Sequence, residues 1–388
     1  MDAERMDADL TAPAERMPLL GLLRFRLIGA LVVIALLYVF LVSISLLGTG
    51  FKLYGKDFAK ALISSTSNPF VGLFIGLLAT AIIQSSSTVT SMVVAFVAAG
   101  TLPVETAVPI VMGSNIGTSV TSMLVAMGHI QRRNQFRRAF AAATVHDFFN
   151  ILTVLVLLPL ELTTHFLQRS AEALTSALVG STSISFKSPI KMATEPVVGV
   201  VKDVVASWSS AVAGTVVVIV AFALLALSLY YLTKVIKLLL IHKLEAFFRS
   251  TVGKSGVLGI LMGLIITALV QSSSVTTSLM VPMAAAGAVT LKQVFPIALG
   301  ANIGTTVTAL MASMVGNAAG LTIALTHTLF NITGVLMIYP FGPIRRIPLR
   351  FAQAMGDIGA RDRRMAVAFL LGIFFVLPGI LILIYRLM

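Results

Sequence analysis

Gly72–Thr121 reads GLFIGLLATAIIQSSSTVTSMVVAFVAAGTLPVETAVPIVMGSNIGTSVT, and Gly259–Thr308 reads GILMGLIITALVQSSSVTTSLMVPMAAAGAVTLKQVFPIALGANIGTTVT. The two stretches align without a gap at a constant offset of 187 residues (259 − 72). Gly72, Gly76 and Thr80 fall on Gly259, Gly263 and Thr267, and Gln84-Ser85-Ser86-Ser87 falls on Gln271-Ser272-Ser273-Ser274. Gly113-Ser114-Asn115-Ile116-Gly117-Thr118 falls on Gly300-Ala301-Asn302-Ile303-Gly304-Thr305. A later echo sets His146 and Asn150 against His327 and Asn331 after a small deletion. Several polar clusters recurring in one register make the chain an internal duplication.

The composition decides where these copies live. Apolar residues make up 57% of the chain and charged residues only 11%, where a soluble domain carries about half and about a quarter. Leu27–Leu47, Ile151–Leu160, Ala211–Leu232 and Met365–Ile384 approach the ~20 apolar residues that a spanning helix needs. The acidic first stretch, Met1–Pro18, has no cleavage-site pattern, so the first apolar run reads as a mature helix. The net charge of +13 does not imply a nucleic-acid partner. Its basic residues cluster at Arg24/Arg26, Arg132–Arg138, Lys234–Lys254 and Arg345–Arg364, each at the end of an apolar run, as cytoplasmic loops require. With no cysteine, disulfides and thiolate chemistry are excluded.

These clusters predict an all-α polytopic membrane protein of two inverted repeats, each with a re-entrant helical hairpin and a broken transmembrane helix. Residues 1–23 form a cytoplasmic tail. Residues 24–160 form the first repeat, with hairpin 72–100 and broken helix 104–130, interrupted at Gly113–Thr118, where two glycines allow unwinding. Residues 161–208 are an extracytoplasmic loop. Residues 209–341 form the second repeat, with hairpin 259–287 and broken helix 291–315. Residues 342–388 hold a basic cytoplasmic segment and a final transmembrane helix. Inverted copies place a binding site near the bilayer midplane.

Each hairpin half is too short to span alone, and its polar interruption is tolerated only against protein or a water-filled cavity. A half-helix starting in mid-membrane aims free N–H groups and the positive end of its dipole at that cavity. Serines there add hydroxyl donors, so Ser85, Ser86, Ser87, Ser272, Ser273 and Ser274 suit an oxyanion. Hard neutral oxygens beside them suit sodium: Gln84, Thr88, Asn115, Thr118, Gln271, Asn302 and Thr305. Gly72–Asn150 contains only Glu105 and Asp147 as carboxylates, and Ser255–Asn331 contains none. Proton pumps and voltage sensors place ionisable groups in their helices. With no buried arginine to meet the anion, co-bound cations must offset its charge, which makes sodium coupling a physical expectation. Asp147 is the one ionisable group that could bind sodium directly, although its counterpart is Thr328.

Small polar residues also line membrane helix interfaces for packing alone. Two Gln-Ser-Ser-Ser clusters, each in register with Asn-Ile-Gly-Thr, favour a site over packing. His146 and His327 read as satisfied interhelical donors, with a supporting role behind a ligand left open. There is no metal-ligand cluster, nucleophile elbow or His/Asp/Ser spacing to suggest an enzyme, and no cofactor is expected apart from Na+ as a co-transported ion.

At the two Gln-Ser-Ser-Ser clusters the chain resembles the type II sodium-dependent phosphate cotransporters. The likeness extends through Asn68-Pro69-Phe70-Val71-Gly72, Gly113–Thr121 and Gly300–Thr308, and covers most of Asn68–Asn150 and Gly253–Asn331. It implies sodium-driven uptake of inorganic phosphate, with the paired hairpins forming substrate and ion sites. The short external loop without cysteine resembles bacterial members, which implies a multi-pass protein of the bacterial inner membrane with a cytoplasmic N-terminus. A homodimer is left open. The resemblance also implies a fold like that of sodium–dicarboxylate carriers, so a dicarboxylate is the alternative substrate. A passive pore on the same helices is a third reading.

Overall fold

The computed structural model describes residues 19–179, 189–251, 253 and 255–387. It is helical, with no strand among the described residues. A long helix α1 (Leu19–Leu53) is followed by a short α2 (Gly55–Thr66). Next come α3 (Pro69–Ile83) and α4 (Ser86–Ala99), then α5 (Val104–Gly117), α6 (Val120–Met127) and α7 (Arg133–Thr164). Two amphipathic helices, α8 (Phe166–Val179) and α9 (Pro189–Val205), lead to α10 (Ser210–Thr251). The second unit supplies α11 (Gly256–Val270), α12 (Ser273–Ala286), α13 (Leu291–Ser313) and α14 (Ala318–Ile338). α15 (Gly342–Arg361) precedes a last span made of α16 (Arg363–Leu371), a π-helical turn (Gly372–Val376) and α17 (Leu377–Leu387). Seven stretches among the described residues are long and apolar enough to cross a membrane.

The hairpins are built by local chemistry. Asn68 caps α3 by accepting from the Phe70 and Val71 amides, with Pro69 preset for the first helical position. Ser255 caps α11 through the Leu258 amide. Each first arm then ends on a glutamine in the left-handed region, Gln84 at φ 61° and Gln271 at φ 59°. Each return arm begins on an extended serine cap, Ser85 or Ser272. The arms are 14 or 15 residues long, or roughly 22 Å, short of the ~30 Å hydrocarbon core.

Glycines set the contact between each first arm and the helix after the hairpin. A Cβ on Gly76 would lie 1.9 Å from the Ile110 carbonyl oxygen, and one on Gly113 1.8 Å from that of Leu73. In the second unit a Cβ on Gly263 would lie 2.0 Å from Ile297 O, and one on Gly300 1.8 Å from Ile260 O. All four pairs keep the offset of 187 residues (for example 263 − 76). Backbone-to-backbone approach of this kind gives the dispersion contact that holds apolar helices together in lipid.

Three expectations need correction. First, helix 104–130 is interrupted only at the end of the glycine-containing motif, at Thr118–Ser119, and helix 291–315 runs unbroken to Ser313. The Asn150 amide donates to Asn115 O at 3.0 Å, the carbonyl that the Ser119 amide would otherwise use, and the helix slackens there. Its counterpart Asn331 donates to His327 O on its own helix, so α13 runs on. Gly300 and Gly304 serve close packing, not unwinding.

Second, the described part of 161–208 is largely helical rather than irregular. Leu167, Ala171 and Thr175 form a buried stripe on α8, whose start is capped by Glu161 accepting from the Leu167 and Gln168 amides. Thr175 pairs with Thr322 of α14 at 3.0 Å, and Thr194 of α9 with Ser45 of α1 at 3.3 Å. Residues 180–188 lie outside the described residues. Third, the N-terminal tail of 1–23 falls outside them as far as residue 18, and α1 already begins at Leu19.

Candidate functional site

The two hairpin turns share one chemical plan. The Gln84 side-chain amide donates back to the Ala81 carbonyl, closing the end of α3, while its oxygen accepts from Thr121 Oγ1 at 2.8 Å. Gln271 repeats this with Ala268 O and with Thr308 Oγ1 at 2.7 Å. Ser85 Oγ accepts from the Thr88 amide and hydroxyl at 3.2 and 2.8 Å, and Ser272 Oγ from the Val275 amide at 3.4 Å. The Val89 and Thr276 amides go to the Ser85 and Ser272 carbonyls. The Ser86, Ser87, Ser273 and Ser274 amides open their helices and have no carbonyl acceptor within them. Ser86, Ser87 and Ser273 are buried, so these donors face protein rather than bulk water.

The turns also meet each other. Thr308, which holds Gln271, lies with its hydroxyl 3.4 Å from Ser87 Oγ of the first hairpin. Ser122, next to the threonine that holds Gln84, pairs with Thr277 of the second return arm at 2.8 Å. Two separate polar contacts therefore join the hairpins, Ser87–Thr308–Gln271 on one side and Thr277–Ser122 on the other.

Asn115 and Asn302 have a different set of partners from the glutamines. His146 Nε2 pairs with Asn302 Oδ1, and His327 Nε2 with Asn115 Oδ1 at 3.3 Å, so each histidine reaches the asparagine of the opposite unit. Asn302 also donates to Asn150 Oδ1 at 2.8 Å, and Ser119 Oγ meets His146 Nδ1 at 2.7 Å. Thr118 and Thr305 donate to Ser114 O and Ala301 O one turn back. Their donor is thereby spent on backbone, and the oxygen lone pairs stay available to a cation. Asp147 is fully buried, and neither of its carboxylate oxygens has a hydrogen-bond partner among the described residues. Such a group needs a cation or a proton.

Thr121 and Thr308 escape a motif-based reading, as do Ser122, Thr277 and Asn150. The two threonines were nonetheless marked: they close the gap-free alignment, each 37 residues after its glutamine. The crossed histidine–asparagine pairs leave no such mark, because they join residues 156 and 212 apart in different units.

No solved structure matches this chain. Sodium-dependent phosphate transport protein 2B of Homo sapiens is 33% identical to it over 91% of the chain and 65% of the relative. Protein 2A of the same name from Ovis aries is 33% identical over 96% of the chain and 71% of the relative. The Rattus norvegicus 2A protein is 34% identical over 92% and 67%. The chain spans about two thirds of the length of these curated relatives. The sequence profile described as Na+/Pi-cotransporter matches residues 39–186 and 224–344. Both matched blocks contain a serine-tipped hairpin, and together with the relatives they establish that the chain belongs to the Na+/Pi-cotransporter family.

Proposed function

We propose that this protein is a sodium-coupled symporter that imports inorganic phosphate across the plasma membrane by alternating access. The observation that carries this is that the first serine-started half-helix meets the turn of the second hairpin through Ser87, Thr308 and Gln271. Phosphate binds between Ser85–Ser87 and Ser272–Ser274, whose free amides and hydroxyls at two helix starts suit an anion. Sodium ions are held by oxygens of Gln84, Thr88, Asn115, Thr118, Gln271, Asn302 and Thr305, with Thr121, Thr308 and Asp147 added from the geometry. The relatives named for sodium-dependent phosphate transport support the same pair of cargoes.

Two cavities support the alternation. One, of about 410 Å³, is bordered by Lys52, Lys191 and Lys202 and by Ala95, Ala98 and Ala99 of α4. The other, of about 380 Å³, is bordered by Arg137 and Arg138 and by Ala284 and Gly287 at the end of α12. The tip residues line neither cavity. Each cavity lies where a side chain of the opposite unit grips a return arm: Asn317 donates to Ala98 O at 3.1 Å, and Arg138 to Ala285 O at 2.6 and 3.1 Å. Ala98 and Ala285 are again 187 residues apart (285 − 98). Loosening one grip at a time would open the site to one face at a time.

Sodium should drive uptake. A tenfold sodium gradient supplies about 1.4 kcal/mol per ion, and the core has little else to couple to. In proteoliposomes, labelled phosphate should accumulate against its gradient when sodium is higher outside. Asp147→Asn should raise the sodium needed for half-maximal uptake about tenfold or more. Equal accumulation on a proton gradient in sodium-free buffer would defeat the proposal.

The repeats are inverted if Arg132–Arg138 and Arg345–Arg364 face the cytoplasm and 161–208 faces outside, as the basic clusters require. Single cysteines can be introduced into this cysteine-free chain and labelled with an impermeant reagent on intact cells. Labelling is expected at residues 180–188 and not at the arginine segments. Reaction at the arginine segments from outside would overturn the inversion.

A further inference from the structure

α15 (Gly342–Arg361) joins the end of the spanning helix α14 to the start of the last span, so both its ends lie at one membrane face. It is itself too charged to cross, with arginines at 345, 346, 350 and 361. At 100° per residue its side chains divide into three sectors. Pro348, Ala352, Gly356 and Gly359 are buried, and a Cβ on Gly356 would come within 2.5 Å of Arg137 O at the start of α7. Ile347, Phe351, Ala354 and Ile358 fall within about 60° of one another and all four are exposed, with one side of the Phe351 ring stacked on Phe148 of α7. Arg346, Arg350 and Arg361 occupy the neighbouring ~60° and are exposed too. Asp357 lies in the same arc but pairs with Arg137 at 3.6 Å, and no carboxylate forms an ion pair with those three arginines among the described residues. Arg345 is occupied over the Tyr339 ring, 5.2 Å from its centroid.

We propose that α15 is an anionic-lipid-binding element at the membrane face where α7 begins. Ile347, Phe351, Ala354 and Ile358 enter the acyl region, and Arg346, Arg350 and Arg361 hold the headgroups of anionic phospholipids. The apolar stripe beside the arginines selects a lipid over a free phosphate, since a soluble oxyanion would gain nothing from it. A helix with an arginine face beside an apolar face has the form that binds anionic bilayers, and arginines near such a surface attract it additively. Because α15 packs along the first half of α7, from Phe136 to Phe148, the bound lipid would brace the segment that carries Arg138. The proposal is independent of what the protein transports.

The test uses the full chain reconstituted in vesicles. Trp208 is the single tryptophan, so Trp208→Phe gives a silent background, and Ile358→Trp reports from the apolar stripe. Ile347→Trp, at the other end of the stripe, serves as a second reporter should the first fail to fold. Quenching by phosphatidylglycerol brominated on its acyl chains is compared with quenching by phosphatidylcholine brominated alike, at equal mole fraction. Apparent affinity should favour phosphatidylglycerol at least about fivefold, in keeping with the pull of a single arginine. The preference should vanish in Arg346→Gln/Arg350→Gln/Arg361→Gln and be unmoved by added inorganic phosphate. Equal quenching by the two lipids, no quenching by either, a preference that survives the triple substitution, or its loss to free phosphate would each overturn the proposal.

Discussion

Valine in place of Gly113 or Gly300 is expected to leave almost no folded protein. The first branching carbon would sit 1.8 Å from a main-chain oxygen, Leu73 O or Ile260 O, where ordinary contact needs nearly twice that. Backbone cannot rotate aside as a side chain can, so the whole helix pair must separate. Separation also lifts Gly76 and Gly117, or Gly263 and Gly304, from their own contacts. Overpacking of a core commonly costs 1–3 kcal/mol, and a clash against backbone should exceed about 3 kcal/mol. The yield of monodisperse protein after solubilisation should collapse, and its thermal midpoint should fall. Gly199→Ala meets open space and should behave as wild type. Normal yield and midpoint for both valine variants would mean that the arms do not pack this way.

Ser86→Ala and Ser273→Ala should each raise the phosphate concentration for half-maximal uptake ten- to hundredfold. Both serines are buried at the start of a return arm, so removing the hydroxyl leaves an anion contact that water cannot replace. A hydrogen bond to a charged group is worth roughly 1.5–3 kcal/mol, which sets that range. Gln84→Ala and Gln271→Ala should act differently. Each removes the acceptor for Thr121 or Thr308 and the cap on the preceding arm, so the sodium requirement should rise more than the phosphate requirement. His146→Ala is not a neutral comparison for these variants, because that ring binds Asn302 and Ser119.

The hairpins could be read from the residues because their cause is local. A polar Gln-Ser-Ser-Ser cluster between two apolar arms forces a turn, and the left-handed glutamine and extended serine follow from the same four residues. The role of Gly76 and Gly113 was only half legible. Glycine signals either unwinding or close approach, and only the partner helix decides which. The break at Thr118–Ser119 was displaced from its expected place by a side chain from another helix, Asn150. The helical form of 161–179 was hidden by composition: serine and threonine on α8 read as loop, although Leu167, Ala171 and Thr175 already carry a helical spacing. The crossed pairs His146–Asn302 and His327–Asn115 depend on how the two units dock, which no local pattern encodes.

The central claim is that both hairpins hold one phosphate together with sodium. Equilibrium binding of labelled phosphate to the purified chain, with sodium present or replaced by choline, tests it most directly. Binding should be saturable at a single phosphate per chain, should need sodium, and should weaken in Ser86→Ala and in Ser273→Ala alike. Binding that persists in choline, or that is unchanged by either serine substitution, would contradict a shared site between the two tips.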